Sequence, residues 1–487
     1  MTRKVRTRFA PSPTGYMHIG NLRTALFEYL IAKHENGDFL LRIEDTDQER
    51  KVEGAVDIIY KTLKDVGLNW DEGPDIGGDF GPYVQSERLG MYKGYAEELV
   101  KTGHAHYCFC SEEEIEEQRK EAESLGISFK FQDPCKHLSK EEIQEKLDAG
   151  QPYVIRQTIE NVGDVSFDDE VYGHMDFDGD LLDEQILLKS DGFPTYNFAN
   201  IIDDHTMNIS HVVRGNEYLS STPKYNLIYD AYGWNRPTYV HVPPVMKDEH
   251  QKLSKRNGDA SFQDLVAKGY LPAAIINYIA LLGWAPPTEQ EIYTLPELVE
   301  VFDVSRISKS PAIFDIEKLT WMNGVYLRNM DLDTYYETVR PYLEKAVHGP
   351  YDLKEIAKII QPRIDILNQI EESVDFFDKP GEYDLEMYRH KKMKSTPESA
   401  LTALKEVRKA LENLDTWTEE SVHETLLALP KEMGVKNGVV LWPVRTALSG
   451  KQFTPGGAIE IAWILGKDET LRRIDTAIAR LEAAQAE

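Results

Sequence analysis

Ala10-Pro-Ser-Pro-Thr-Gly-Tyr-Met-His-Ile-Gly-Asn21 follows an extended stretch, Val5 to Ala10, and opens a helix. Leu22, Ala25, Leu26, Tyr29 and Leu30 recur at helical spacing and predict one apolar face. The loop therefore leaves a strand and enters a helix N-terminus, where unpaired N–H groups and the helix dipole favour an anion. His18 adds a side-chain donor, and Gly15 and Gly20 let the backbone approach a ligand closely. Such a loop suits the phosphates of a nucleotide. Gly37-Asp38 then leads into a second strand, Phe39–Ile43, at a spacing that predicts a right-handed βαβ crossover. Parallel sheets bind ligands beyond the carboxyl ends of their strands. Pro11–Gly20 and Arg42-Ile-Glu-Asp-Thr-Asp47 both sit at such ends. Far downstream, Lys252-Leu-Ser-Lys-Arg256 offers two lysines placed to neutralise charge on a phosphate in a transition state.

The two segments together resemble the HIGH and KMSKS signatures of class I aminoacyl-tRNA synthetases. The fuller run Arg8-Phe-Ala-Pro-Ser-Pro-Thr-Gly-Tyr-Met-His-Ile-Gly-Asn-Leu-Arg-Thr-Ala-Leu26 is similar to the glutamyl and glutaminyl branch. Phe314 to Arg328 resembles that family's stem-contact segment, and Gly434 to Gly450 its second anticodon-domain motif. The resemblance covers essentially the whole chain, and a helical C-terminal half resembles the bacterial-type glutamyl enzyme.

The rest of the chain fits that layout. From about Cys108 to Ser190 acidic helices replace the Rossmann pattern, with capping boxes at Ser111-Glu-Glu-Glu114 and Ser139-Lys-Glu-Glu142 and a helix stop at Gly150. Short strands follow, and the Rossmann pattern resumes near Leu187. After Asp331 the segments are almost all helical. The expected fold is an α/β N-terminal half, a Rossmann-like parallel sheet with an inserted α+β domain, followed by an all-α C-terminal half. The resemblance implies a catalytic domain at 1–100 and 191–246, and an acceptor-stem insertion at 101–190. It implies the second signature loop and stem-contact region at 247–330, and anticodon-binding domains at 331–395 and 396–487.

Composition sets outer bounds. A chain of 487 residues is too long for one core, and 41% hydrophobic content with mixed charge predicts a soluble globular protein. The basic N-terminus has no apolar core or cleavage site, so no secretory signal is expected. The most apolar stretch, Ala273 to Ala285, is too short to span a bilayer and reads as a buried helix. Cytoplasmic residence is the expectation. A net charge of −28 speaks against nucleic acid, yet Met387 to Lys409 holds seven Lys or Arg against two Glu, and Pro430 to Lys451 has one acid, Glu432. Such islands are what a tRNA footprint on an acidic body needs.

The resemblance implies activation of glutamate by ATP, with Mg²⁺, and transfer of the glutamyl group to the terminal adenosine of tRNA. His18, Lys252 and Lys255 are the catalytic candidates. Pro11, Ser12, Pro13, Thr14, Gly15, Gly20, Asn21, Ser254 and Arg256 join them around ATP. Asn21 stands where the signature has a second His, which removes one contact. Arg8 and Arg214 have the fork geometry for carboxylates. Glu44 is the partner for the α-ammonium, with Ala10, Ser12, Tyr196 and Asn200 completing the amino-acid pocket. A pair with Glu217 is the structural alternative for Arg214.

All three cysteines fall in one window, Cys108-Phe-Cys110 and Cys135-Lys-His137. Three thiolates and a histidine suit tetrahedral structural zinc, with His106 in reserve. Some bacterial glutamyl enzymes bind zinc at such a cluster; those members often carry Tyr where this chain has Phe131. Arg363 is a candidate for reading the anticodon. The partners implied are tRNA(Glu), tRNA(Gln) as well for a non-discriminating enzyme, and L-glutamate; the family is mostly monomeric, and its activation step requires tRNA. A glutaminyl-tRNA synthetase and a small-molecule nucleotidyltransferase with an HxGH loop are the alternatives. The second leaves two thirds of the chain unexplained.

Overall fold

The computed structural model describes residues 4–46, 52–160, 162–253 and 261–486. The expected crossover forms. Strands β1 (Arg6–Phe9) and β2 (Asp38–Leu41) pair in parallel around the helix Ile19–His34, Arg6 opposite Asp38 and Phe9 opposite Leu41. Leu22, Leu26 and Leu30 are fully buried, each worth about 1.5–3 kcal/mol of hydrophobic stabilisation. The helix is less one-sided than its spacing predicts: Arg23 and Glu28 are buried too. A second layer explains this, because the helices Pro272–Ala280 and Leu295–Val301 pack over it. Arg23 stays satisfied by donating to Leu282 O at 2.9 Å and to Pro243 O.

Both predicted capping boxes are present, at Ser111 and Ser139, and the second helix ends before Gly150 in the left-handed region. Strands β3 (Ala105–Cys108) and β4 (Val154–Gln157) are antiparallel. After the hairpin of β5 (Asp164–Asp169) and β6 (Gly173–Asp178), β7 (Ile186–Leu188) returns to pair antiparallel with β4. Ile186-Leu-Leu188 thus closes the antiparallel sheet rather than resuming the parallel one near Leu187. A short apolar run carries no mark of which sheet it will join.

The parallel pattern resumes with the helix Tyr196–Thr206 and with β8 (His211–Gly215), which pairs in parallel with β9 (Thr238–Val242). Ser210 stitches this ladder to the first: its N–H donates to Arg6 O at 2.9 Å and its hydroxyl accepts from Arg6 N at 2.7 Å. The strands β2, β1, β8 and β9 therefore lie side by side with their carboxyl ends together. β5 joins the outer side of β9 in parallel, Asp169 opposite Tyr239. The segment 101–190 thus lends a strand to the parallel sheet. A last short ladder joins β10 (Val245–Met246) to β11 (Ala312–Ile313). The apolar run from Ala273 is a buried helix, Pro272–Ala280.

The chain divides into two compact units, one ending at Asp315 and a second of Ala267–Leu271 with Ile316–Glu487. Among its described residues the second unit is helical with no strand. Arg363 is exposed in the turn after the helix Leu353–Ile360. In the basic island Arg389, Lys405 and Arg408 are paired with acids, whereas Lys391, Lys392, Lys394 and Lys409 are exposed with no ion pair among the described residues. Arg473 pins the core of this unit. It is 2% exposed and donates to Phe376 O, Phe377 O and Leu448 O at 2.6–2.7 Å, with its Nε on Glu469 at 2.6 Å. Arg473→Met leaves those carbonyls unpaired, and each buried unsatisfied group costs about 1–3 kcal/mol. Chemical denaturation should show this unit destabilised by about 3 kcal/mol or more.

Candidate active site

The loop after β1 holds its shape through backbone bonds and one side chain. Glu44 N donates to Pro11 O at 3.1 Å and Val52 N to Pro13 O at 3.1 Å. Gly15 turns the loop at φ +108°, a conformation open to glycine at little cost. His18 caps the helix Ile19–His34, its Nδ1 accepting from Gly20 N at 3.0 Å. A backbone N–H can only donate, so Nδ1 carries the lone pair and the ring proton sits on Nε2. That Nε2–H donates to Leu253 O at 3.1 Å. Both ring nitrogens are engaged, so contact with a phosphate requires Nε2–H to leave Leu253 O.

Leu253 belongs to the second signature segment. Met246 and Lys252 face each other across an antiparallel bridge, and Lys247 N donates to Gln251 O at 2.8 Å to close the turn. Lys252 is exposed there. Ser254, Lys255 and Arg256 lie outside the described residues. On the far side of the gap His18 bridges Ser261, and Phe262 N donates to Met17 O at 3.0 Å. The two signature segments, more than two hundred residues apart in the chain, are thus drawn to one place.

Beside them lies a cavity of about 240 Å³. Arg8, Ala10, Ser12, Glu44, Tyr196 and Arg214 line it, as do Pro11, Thr14 and Asn21. Of the amino-acid pocket read from the sequence, Asn200 is missing from this wall. It is buried one helical turn from Tyr196, and its Nδ2 has no partner among the described residues. A buried polar atom without a partner is rare and fits a position that a ligand completes.

The charges behind the wall are tightly tied. Asp204 accepts from Arg8 Nε at 2.8 Å and from Arg42 Nη1 at 2.7 Å. Arg8 Nη1 reaches Glu28 Oε1 at 3.1 Å, and Arg42 Nη2 reaches Glu44 Oε1 at 3.1 Å. Arg8 lines the cavity with its donors already engaged, Nε and Nη2 on Asp204 and Nη1 on Glu28 and Val213 O. Against the cost of burial, Arg8 and Arg42 hold Asp204 below the usual carboxylate range. Burial pushes Glu44 up to about 7, with Arg42 opposing. Glu28 is pushed well above its ordinary value by burial.

Arg214 is treated differently. It is 6% exposed yet has no ion pair among the described residues, with Glu217 or otherwise. Its Nε donates to His241 Nε2 at 3.1 Å and its Nη2 to Thr222 Oγ1 at 2.8 Å. The rings of Tyr218, Tyr225 and Tyr239 lie 4.7–5.5 Å from its guanidinium. A buried cation facing a cavity with no carboxylate of its own is set to receive one.

The cysteines converge, with one change of partner. Ligand atoms of Cys108, Cys110, Asp133 and Cys135 lie within 4.8 Å of one another. His137 is not among them. Cys135 and His137 share the short 3₁₀ turn Pro134–His137. Two residues apart in a turn of three, they point about 120° apart, so Cys135 faces in and His137 out. Asp133 caps that turn by accepting from Cys135 N at 2.9 Å, which brings its carboxylate to the thiols. His106 bonds Asp133 Oδ2 at 3.0 Å from behind. Burial pushes the Cys108 thiol up to about 12, reinforced by Asp133 and opposed by the charge of Arg156.

The sequence reading missed Asp204, Arg42, Glu28, Asp133 and the supports of Arg214. A signal existed for Asp204: Asp203-Asp204 follows Ile201-Ile202 inside a helix, where a charged pair on an apolar stretch marks buried partners.

A family model described as the class I tRNA synthetase (E and Q) catalytic domain matches residues 4–321, and one described as an anticodon binding domain matches 334–478. A glutamate–tRNA ligase of Clostridium botulinum (strain Hall) is 60% identical over 485 residues, 100% of both chains. That of Clostridium tetani is 58% identical over 98% of each. Among solved structures, a glutamate tRNA ligase from Elizabethkingia meningosepticum in complex with its amino acid superposes with a TM-score of 0.90. It is 36% identical and covers 98% of this chain and 100% of its own. The glutamate-tRNA synthetase of Elizabethkingia anophelis gives 0.88 at 35% identity, with the same coverage of both chains.

Proposed function

The chain belongs to the class I tRNA synthetases of the glutamate and glutamine branch, and we propose that it ligates L-glutamate to tRNA(Glu) through a glutamyl-adenylate. One observation carries the reading of the pocket: Arg214, buried and without a carboxylate, faces the same cavity as Glu44 and the phosphate loop. An amino acid with a side-chain carboxylate matches that arrangement. A neutral amide does not, which favours glutamate over glutamine, and the curated relatives above are named for glutamate. The full-length likeness excludes a small nucleotidyltransferase.

In this reading the side-chain carboxylate of glutamate meets Arg214, with Arg8 beside it on the same wall. Its ammonium meets Glu44, and Tyr196 and Asn200 complete the contacts. The α-carboxylate oxygen then attacks the α-phosphorus of ATP, forming a C–O–P linkage and releasing pyrophosphate. The protein's part is alignment and stabilisation of spreading charge. The loop Pro11–Gly20 and the helix start at Ile19 receive the phosphates, with Ser12, Thr14 and Asn21 at the cavity wall. Lys252 and Lys255 neutralise charge on the leaving group, and loss of either should cost on the order of 10²–10³ in rate. Mg²⁺ accompanies ATP and is held mostly by phosphates and water. A hydroxyl of the tRNA 3′ adenosine then attacks the glutamyl carbonyl carbon, forming the ester as the bond to the adenylate breaks, and AMP and the hydroxyl proton leave. The unpaired lysines at 391, 392, 394 and 409 are the proposed footprint for the tRNA backbone. The place of action is the cytoplasm; no helix among the described residues is long and apolar enough to cross a membrane.

The thiols of Cys108, Cys110 and Cys135 with the Asp133 carboxylate fit a zinc ion, and a closed site of that kind serves structure.

Three measurements test these assignments. Labelled glutamate and glutamine are offered with separate tRNA(Glu) and tRNA(Gln) transcripts: glutamate on tRNA(Glu) is expected, glutamate on both marks a non-discriminating enzyme, and charging of neither overturns the proposal. The pH profile of glutamate affinity reads Glu44. The ammonium needs the ionised carboxylate, so affinity should rise with pH through about 7 and level off above it. That rise should vanish in Glu44→Gln; an unchanged profile removes Glu44 from the pocket. Finally, unchelated protein should contain about one zinc per chain, lost in Asp133→Ala and kept in His137→Ala. The reverse pattern restores His137.

A further inference from the structure

Resting on the pocket reading above, we propose that His241 and Asp169 are positioning residues that hold Arg214 as an uncompensated cation for the side-chain carboxylate of glutamate. The geometry is a three-membered chain. Arg214 Nε meets His241 Nε2 at 3.1 Å, and His241 Nδ1 meets Asp169 Oδ2 at 2.6 Å. His241 and the side chain of Asp169 are sealed from water.

Proton bookkeeping fixes every member. The Nε–H of arginine can only donate, so His241 Nε2 must present a lone pair. The single ring proton then sits on Nδ1 and is donated to Asp169. Asp169 in turn has no freedom. Its Oδ2 also accepts from His241 N at 3.1 Å, and its Oδ1 accepts from Val171 N at 2.9 Å and Tyr172 N at 2.8 Å. Burial, reinforced by the charge of Arg214, keeps the imidazole neutral against the pull of Asp169. Thr222 steadies the other end, accepting from Arg214 Nη2 at 2.8 Å while donating to Tyr218 O at 2.8 Å.

The interposed imidazole has a consequence for specificity. A carboxylate placed directly on Arg214 would neutralise it, and the substrate would compete with a formed ion pair. A neutral ring aims the guanidinium and leaves its charge uncancelled. Arg8, by contrast, is already matched by Asp204. Arg214 is thus the cation of this pocket that an incoming carboxylate can satisfy and an amide cannot.

Asp169→Asn tests the chain, because all four groups facing Asp169 are donors, two on each oxygen, and an amide nitrogen at either position opposes two of them. If that nitrogen faces Nδ1–H, the ring proton shifts to Nε2 and confronts the Nε–H of Arg214, as in tautomer reversal at other Asp–His pairs. The KM for glutamate should rise about tenfold to a hundredfold, with the KM for ATP and the kcat at saturating glutamate nearly unchanged. The preference for glutamate over glutamine should fall by the same factor. Nitrogen-15 spectra of labelled histidine should show the His241 proton on Nδ1 in the parent protein and on Nε2 in the variant. Where Asp169→Asn fails to fold, a second pair decides. His241→Gln can still offer a carbonyl to Arg214 and should retain most of the glutamate affinity that His241→Leu loses. Equal glutamate KM and preference across these variants overturns the relay. If Arg214→Gln at the same time loses glutamate activation, the pocket stands without it. If Arg214→Gln keeps full glutamate activation, the pocket reading itself falls.

Discussion

A carboxylate sealed between two guanidiniums organises the carboxyl-end surface of the sheet. Asp204 takes Arg8 from β1 and Arg42 from just beyond β2, both at hydrogen-bond distance and all three buried. Removing one partner of such a group costs about 3–5 kcal/mol, since the charge left behind has no water to turn to. The bond therefore fixes more than itself. It fixes how Arg8 lies along the cavity wall, and through Arg42 it orients Glu44. Asp203, one residue earlier, accepts from Arg88, Gln85 and Tyr92 and extends the lattice to the next helix.

The inserted segment is woven into this surface rather than appended to it. β5 pairs with β6 along its whole length and meets β9 at its last residue, Asp169, which holds the buried imidazole behind Arg214. A residue of this segment thereby supports the cavity wall from behind. The Cys108–Cys135 cluster sits on the other arm of the same segment, where Asp133 is shared between thiols and His106.

What the sequence made legible follows from locality. The loop from Pro11 to Gly20, the helix from Ile19 and both capping boxes depend on residues within a few positions of each other, and they appear where the spacing puts them. The family signatures brought in Arg8, Glu44, Tyr196 and Arg214, and these do share one cavity. Contacts set by the fold were out of reach. Asp204 lies about two hundred residues from Arg8, and Asp169 lies in a stretch that reads as an exposed hairpin of alternating acids. His137 stands two residues after Cys135, which makes it the expected fourth ligand. A 3₁₀ turn reverses that inference by turning the two side chains apart.

His18 has one transferable proton and two claims upon it. Its Nδ1 is bound to the helix start, so the ring can neither turn nor take the other tautomer without uncapping Gly20. The Nε2–H can then serve the carbonyl of Leu253 or an arriving phosphate oxygen, but not both at full strength. Any acceptor that takes this proton takes it from Leu253, while the bridge to Ser261 and the bond from Phe262 N to Met17 O still hold the two segments together.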